Sequence, residues 1–193
     1  MNDILAIMML MFWPVIPLFW IPVHLAVHFF RRPGLGAYLL PVFTWLPLAF
    51  LIYRHRDFLL QFKITLPFPC AIIGWVLLIS GTLLHIWTAR LLGLWGIIGV
   101  PELSGRVEEH LVAEGPFSIV RHPTYLAHTL MFSGVFLITN ALTVGIIAVL
   151  DCIVVNSVII PLEEKELADR FGEEYASYKR KVASSFFPLF LRK

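Results

Sequence analysis

The sequence predicts an all-α, polytopic helical bundle in a membrane, with about five transmembrane helices and one polar cap. Three observations predict it. Of the 193 residues, 59% are hydrophobic and 15% charged, and the mean hydropathy is +0.82. A soluble domain of this size has no interior large enough for that much apolar surface. The apolar residues fall into five long runs, and most of the charge collects in two stretches, residues 93–122 and 163–193.

Taken in order, the runs are about Ile4–Phe30, Leu35–Tyr53, Leu66–Leu92, Tyr125–Thr139 and Ala141–Leu162. A helix needs about 20 residues to cross the hydrocarbon core. The first run carries Pro14, Pro17 and Pro22, and kinks are expected there. The fourth, at 15 residues, is short unless its helix begins at His122–Thr124. Only Thr139–Thr143, "TNALT", separates the last two runs, which predicts a tight helical hairpin. No repeat or linker divides the chain, so 1–193 reads as one domain. The start "MNDILAIMML" lacks a basic region and a small-residue cleavage site, and reads as a retained span. Cys70 and Cys152 lie in separate runs without ligand spacing and read as small core residues.

Lysine and arginine counts set the orientation. If the turn at Arg31 and Arg32 is cytoplasmic, twelve basic residues lie inside and three (Arg54, Arg56, Lys63) outside. The N-terminus is then outside and the C-terminus in the cytoplasm. Both charged stretches share the cytoplasmic side, where the 93–122 loop and the C-terminal helix are expected to cap the bundle. No nucleic-acid partner is expected, and the sequence sets no oligomeric state.

Two motifs carry the candidate chemistry. In "VRHPTYLAH" (Val120–His128), Pro123 suits the first turn of a helix and disfavours helix at His122. His122 is therefore expected at a helix N-terminus beside free backbone N–H groups, a place that binds anions. Tyr125 and His128 follow at three and six residues and approach the same face. The plain alternative is an interfacial belt of Arg, His and Tyr. The second motif is "PLEEKELADRFGEEYASYKRKV" (Pro161–Val182). Glu163 and Glu164 stand where the last run leaves the bilayer, and Glu166 and Arg170 are spaced to pair along a helix. Phe171, Tyr175 and Tyr178 form an aromatic stripe, for which packing onto the cap is the simpler reading. Lys179, Arg180 and Lys181 suit anionic headgroups.

Together, "HLVAEGPFSIVRHPTY" (His110–Tyr125) and "EEKELADRFGEEYASYKRKV…P" (Glu163–Pro188) resemble the isoprenylcysteine carboxyl methyltransferase family and its prokaryotic relatives, which belong with the phospholipid methyltransferases. The resemblance covers about Leu84–Pro188 and includes "ARLLGLW" (Ala89–Trp95). Residues 1–65, the two N-terminal spans, carry no signature. The resemblance implies a membrane-embedded enzyme that binds S-adenosylmethionine without a Rossmann domain. Gly93, Gly96 and Gly99 repeat every third residue and do not make G-x-G-x-x-G. Carried over by position, His122, Tyr125 and one or both of Glu163 and Glu164 belong to the cofactor pocket. His110, Leu111, Val112, Gly115 and Phe117 would line the adenosine, with Gly115 allowing close approach. Arg170 resembles a basic residue near the acceptor in relatives, and with Glu163 is the expected catalytic pair. Relatives often carry Arg shortly before the final Pro, where this chain has Ser184 and Ser185.

Polar residues inside the runs add a second expectation. Counted from the cytoplasmic ends, His24, His85, His128 and Asn156 lie at similar depth, roughly 8–10 Å, and Asp151 at roughly 15 Å, taking about 1.5 Å per residue. Ionisable groups at such depth usually face an interior cavity, so these five are expected in a substrate pocket; helix–helix hydrogen bonds are the alternative. His24 and His28, one turn apart, have metal-ligand spacing, but no metal is expected. The expected partners are the lipid bilayer and a hydrophobic or amphiphilic small-molecule acceptor with a carboxylate, thiol or amine. Two rival readings stand. Membrane sterol reductases share the architecture and bind NADPH, but usually have an Arg-Asp pair where Glu163-Glu164 stands here. The other rival is a non-catalytic lipid-binding protein.

Overall fold

A computed structural model describes residues 2–30, 34–97 and 110–187, and all regular structure among them is helical. Four helical segments are long and apolar enough to cross a membrane: Asn2–Leu25, Gly36–Arg54, Phe68–Gly93 and Leu142–Phe171. The fifth expected span is the helix Pro123–Thr139. It begins at Pro123, two residues before the apolar run, but its 17 residues reach only about 25 Å. Large apolar side chains face outward along the spans, among them Phe43, Phe50, Ile72, Leu83 and Val149. Exposed apolar surface on this scale is what lipid covers.

The prolines of the first span act as the sequence suggests. Helix α1 (Asn2–Phe12) ends before Pro14, and a π-type turn at Ile16–Trp20 contains Pro17. Helix α2 (Ile21–Leu25) holds Pro22 in its first turn and stops at Ala26, before the short α3 (Val27–Phe30). Helix α4 (Leu39–Arg54) returns to the starting end, and α5 (Arg56–Leu60) leads into α6 (Phe68–Ile97). Gly93, with φ +69°, interrupts α6 at the far end.

Helix α7 (Pro123–Thr139) packs along α6 at very short range. A Cβ on Gly134 would meet the Gly74 carbonyl at 2.6 Å and the Leu78 nitrogen at 2.7 Å; one on Gly81 would meet the Ala127 carbonyl at 2.8 Å. These are backbone atoms, so the seam exists only with small residues. The hairpin to α8 (Leu142–Val154) turns on Asn140, which takes the left-handed conformation (φ 56°) tolerated by asparagine at a helix end. Residues 62–64 clip onto this turn through Ile64 N to Asn140 O and Leu142 N to Phe62 O, both 2.9 Å. Lys63 also pairs with Asp3 at 2.7 Å.

A second π-type turn at Val155–Ile159 joins α8 to α9 (Ile160–Phe171), and α10 (Glu173–Lys181) follows after Gly172. Ile16, Val155, Ile159, Ile160 and Phe186 form a cluster with Tyr125, so both wide turns meet beside the start of α7. Arg54, Arg56 and Lys63 therefore gather at one end of the bundle. The start of α7, α10 and the 182–187 segment gather at the other. Arg31, Arg32, Arg106, Arg192 and Lys193 lie outside the described residues.

Candidate active site

Pro123 occupies the first turn of α7, and His122 is its N-cap. The backbone of 121–122 pairs with the segment after α10: Arg121 N donates to Ser184 O and His122 N to Ser185 O, both at 2.9 Å. The N–H of His122 itself is thus taken by the C-terminal strap. Arg121 fastens the same strap from its side chain. Nη1 donates to Val182 O at 2.7 Å and Ala183 O at 2.9 Å, while Nε and Nη2 donate to Glu164 Oε1 at 2.9 and 2.6 Å.

The two glutamates divide. Glu164 accepts from Arg121, from Lys179 Nζ at 2.6 Å and from Ser185 Oγ at 3.3 Å, and lies 3.4 Å from His122 Nε2. It is a structural hub and does not line the cavity described below. Glu163 Oε1 lies 3.7 Å from His122 Nδ1, and its Oε2 is buried without a hydrogen-bond partner. Burial pushes the His122 imidazole down. The Glu163 charge and hydrogen bonds to both carboxylates outweigh it and hold the group at about 9. His122 is therefore an imidazolium at neutral pH. In the cap, burial raises the Tyr175 phenol above its usual range and Tyr178 to about 12. The Tyr178 hydroxyl donates to Phe117 O at 2.7 Å, fixing α10 over residues 115–118. The aromatic stripe thus packs the cap, and Phe171, Tyr175 and Tyr178 also reach the cavity.

That cavity has a volume of about 480 Å³, within the usual range for small-molecule sites. Eleven of the residues singled out from the sequence line it: His24, His85, His110, Leu111, Val112, Phe117, His122, Tyr125, His128, Glu163 and Arg170. They come from α2, α6, the 110–117 stretch, α7 and α9. Arg170 Nη1 lies 3.6 Å from Glu166, and its guanidinium stacks on Phe171 at 4.8 Å. Three histidines face the deep, apolar part, and His85 and His128 have ring centroids 5.0 Å apart.

Four expected residues stand elsewhere. Gly115 has φ +57°, and a Cβ there would strike Leu91 Cδ1 at 2.9 Å; its glycine serves the turn and the packing onto α6, not a ligand. Asp151 is buried against α1's exit, where it accepts from Trp13 Nε1 at 2.9 Å. Asn156 donates to the Cys152 carbonyl at 2.8 Å and is exposed. Glu164 is the fourth, for the reason above. The side chain of His28 lies outside the described residues, and no group of three metal-ligating side chains occurs among those described.

Sequence reasoning missed Arg121 as a site residue. Its signal was its place beside His122, but a basic residue at a membrane border reads first as an anchor. It also missed Trp20, which lines the cavity and stacks on His24 at 5.4 Å.

Residues 69–174, just over half the chain, match the family described as phospholipid methyltransferase. The chain is 32% identical over 113 residues to the cobalt-zinc-cadmium resistance protein CzcN of Cupriavidus metallidurans, covering 53% of this chain and 51% of that protein. It is 31% identical over 86 residues to the nickel-cobalt-cadmium resistance protein NccN of Alcaligenes xylosoxydans xylosoxydans, covering 45% and 39%. The chain thus spans about half the length, or less, of the curated relatives it matches. No solved structure matches it.

Proposed function

This chain belongs to the phospholipid methyltransferase family, and from that premise we propose that it transfers a methyl group from S-adenosylmethionine to a lipid-like or small hydrophobic acceptor at the cytoplasmic membrane face. The observation that carries the reading is the buried, unpartnered Glu163 Oε2 on the wall of a cavity of about 480 Å³. A buried carboxylate oxygen without a partner is costly, and the cofactor's ammonium is a group that satisfies it.

The other lining groups fit the same molecule. Arg170 offers a cation for its carboxylate, beside the helix N-terminus at His122. Leu111, Val112, Phe117 and Phe171 give apolar and aromatic surface for an adenosine. When bound, this cofactor supplies a methyl already activated on a sulfonium, so the protein's work is positioning and exclusion of water. His122, held between the two glutamates, fixes the direction of Glu163. The strap and the tyrosines of α10 close the cap side. His24, His85, His128 and the first span offer the acceptor an apolar wall with polar points, reached from the bilayer. The basic residues gathered at the site end support a cytoplasmic cap.

The resistance named for both relatives enters only as a setting in which such a transfer acts. Calorimetric titration of detergent-purified protein with S-adenosylhomocysteine and, separately, NADPH tests the reading. S-adenosylhomocysteine is expected to bind, and Glu163→Gln to weaken it by about 1.5–3 kcal/mol, the range for hydrogen bonds to charged groups. Binding of NADPH alone, or no effect of the substitution in folded protein, refutes it.

A further inference from the structure

The deep end of the cavity is built differently from the end at Glu163. His122, Tyr125 and His128 follow one face of α7 with ring centroids 6.0 and 6.4 Å apart, and His85 lies 5.0 Å beyond on α6. His128 is six residues from His122, about 9 Å along the helix. Nδ1 of His85, Nδ1 of His128 and both nitrogens of His24 are buried with no hydrogen-bond partner among the described residues. Buried polar atoms are normally paired. Three such rings on one cavity wall mark the place of a ligand's polar atom.

Charge narrows what that atom is. The charged side chains on the cavity wall (Arg121, His122, Glu163, Arg170) all come from the start of α7 and from α9. Around His85 and His128 the lining is Met131 and Phe132, with Val15, Ile16 and Trp20 from the first span, while His24 stands nearer the charged end, within electrostatic reach of Glu163, Arg170 and His122. Between His85 and His128 a carboxylate finds no cation and an ammonium no carboxylate, and either loses its hydration without return. A neutral head keeps its free energy, and sulfur gains favourable contacts with aromatic rings. A neutral imidazole presents one N–H and one lone pair, so it both orients such a head and takes its proton.

Resting on the methyl-transfer reading above, we infer that His85 and His128 seat the acceptor, and that the acceptor is a thiol on an apolar chain which enters uncharged. The acceptor's sulfur lone pair forms the new S–CH3 bond as the CH3–S bond of the sulfonium donor breaks. The S–H proton passes to the lone-pair nitrogen of the histidine pair. The donor's positive charge ends as an imidazolium, beside a methyl thioether and a neutral donor thioether.

The test compares 1-decanethiol, decanoate and decylamine as ligands of the donor-free protein by calorimetry, then follows methylation of decanethiol in His128→Phe and His85→Phe. The thiol is expected to bind at least tenfold more tightly than either charged analogue. Each variant is expected to methylate it at least about 100-fold more slowly, the low end for a lost proton acceptor, with S-adenosylhomocysteine affinity within twofold of the parent. Failure of decanethiol to bind, equal binding of either analogue, or undiminished turnover in both variants overturns the inference. The binding comparison needs no variant and decides even if one fails to fold. If S-adenosylhomocysteine does not bind the parent, the proposed function falls; if it binds and the thiol does not, this inference alone falls.

Discussion

Replacing Arg121 tests whether the C-terminal strap holds the site together. Arg121 makes four hydrogen bonds of 2.6–2.9 Å: two to Glu164 Oε1 and two to the carbonyls of Val182 and Ala183. Its side chain is 7% exposed and that of Glu164 13%. Breaking a buried pair by removing one partner costs about 3–5 kcal/mol, because the remaining charge is left buried. Glu164 keeps Lys179 at 2.6 Å, so the lower end applies and Arg121→Ala is expected to cost about 3 kcal/mol. Lysine has no planar fork to serve both the carboxylate and the carbonyls, so Arg121→Lys should recover less than half. The assay is denaturant unfolding in detergent, read beside limited proteolysis of the 182–187 segment. Strap cleavage should accelerate before the helices unfold. A loss under 1 kcal/mol with an uncut strap would refute the clamp.

Four further outcomes are expected. His122 has a folded pKa of about 9 against an ordinary 6.5, so its stabilisation is fully present below pH 6.5 and lost as pH rises through 9. The span corresponds to about 3 kcal/mol, visible as a falling melting temperature that Glu163→Gln flattens. Gly134→Ala should cost about 2 kcal/mol in thermal unfolding, because its Cβ meets the backbone of α6; Gly145→Ala, which meets only the Phe136 ring, should cost less. Trp20→Ala should slow methylation of a ten-carbon acceptor while leaving S-adenosylhomocysteine affinity within twofold, and equal losses in both would exclude an acceptor-side role. Cysteines placed at Asn2 and Lys193 should label in intact cells from outside only at Asn2; outside labelling at Lys193 reverses the orientation.

The elements were legible where the backbone leaves little choice. Pro17 and Pro22 interrupt the first span, Pro123 starts α7, and Asn140 ends it, each through a local steric rule. Gly74, Gly81 and Gly134, on which the α6–α7 seam depends, drew no notice in the sequence, because small residues in an apolar run do not name their partner. Depth counting brought His24, His85 and His128 to one level, and they do share the cavity. It placed Asp151 and Asn156 there wrongly, because counting gives height along a helix and not which way a side chain faces. Asp151 turns to Trp13 instead. The split between Glu163 and Glu164 was not readable at all. It depends on Arg121, 43 residues from Glu164 in sequence, and on a strap more than 60 residues from Arg121, and adjacent glutamates at a helix exit look equivalent until that strap is in place.

The cavity's two ends have different origins in the chain. His85, residues 110–117, His122, Tyr125, His128, Glu163 and Arg170 fall within the family match at 69–174. Phe12, Val15, Ile16, Trp20 and His24 come from the first span, outside it. The kinks at Pro17 and Pro22 bring that span's aromatic and histidine side chains onto a wall whose opposite face is the shared segment. Under the proposed function this division separates donor from acceptor, because a change in the first span leaves Glu163, His122 and the strap untouched. The converse holds for the seam. Gly74, Gly81 and Gly134 fix α6 against α7, and with them the 5.0 Å approach of His85 to His128. Loosening that seam should move acceptor chemistry and stability together, whereas loosening the first span should move acceptor preference alone.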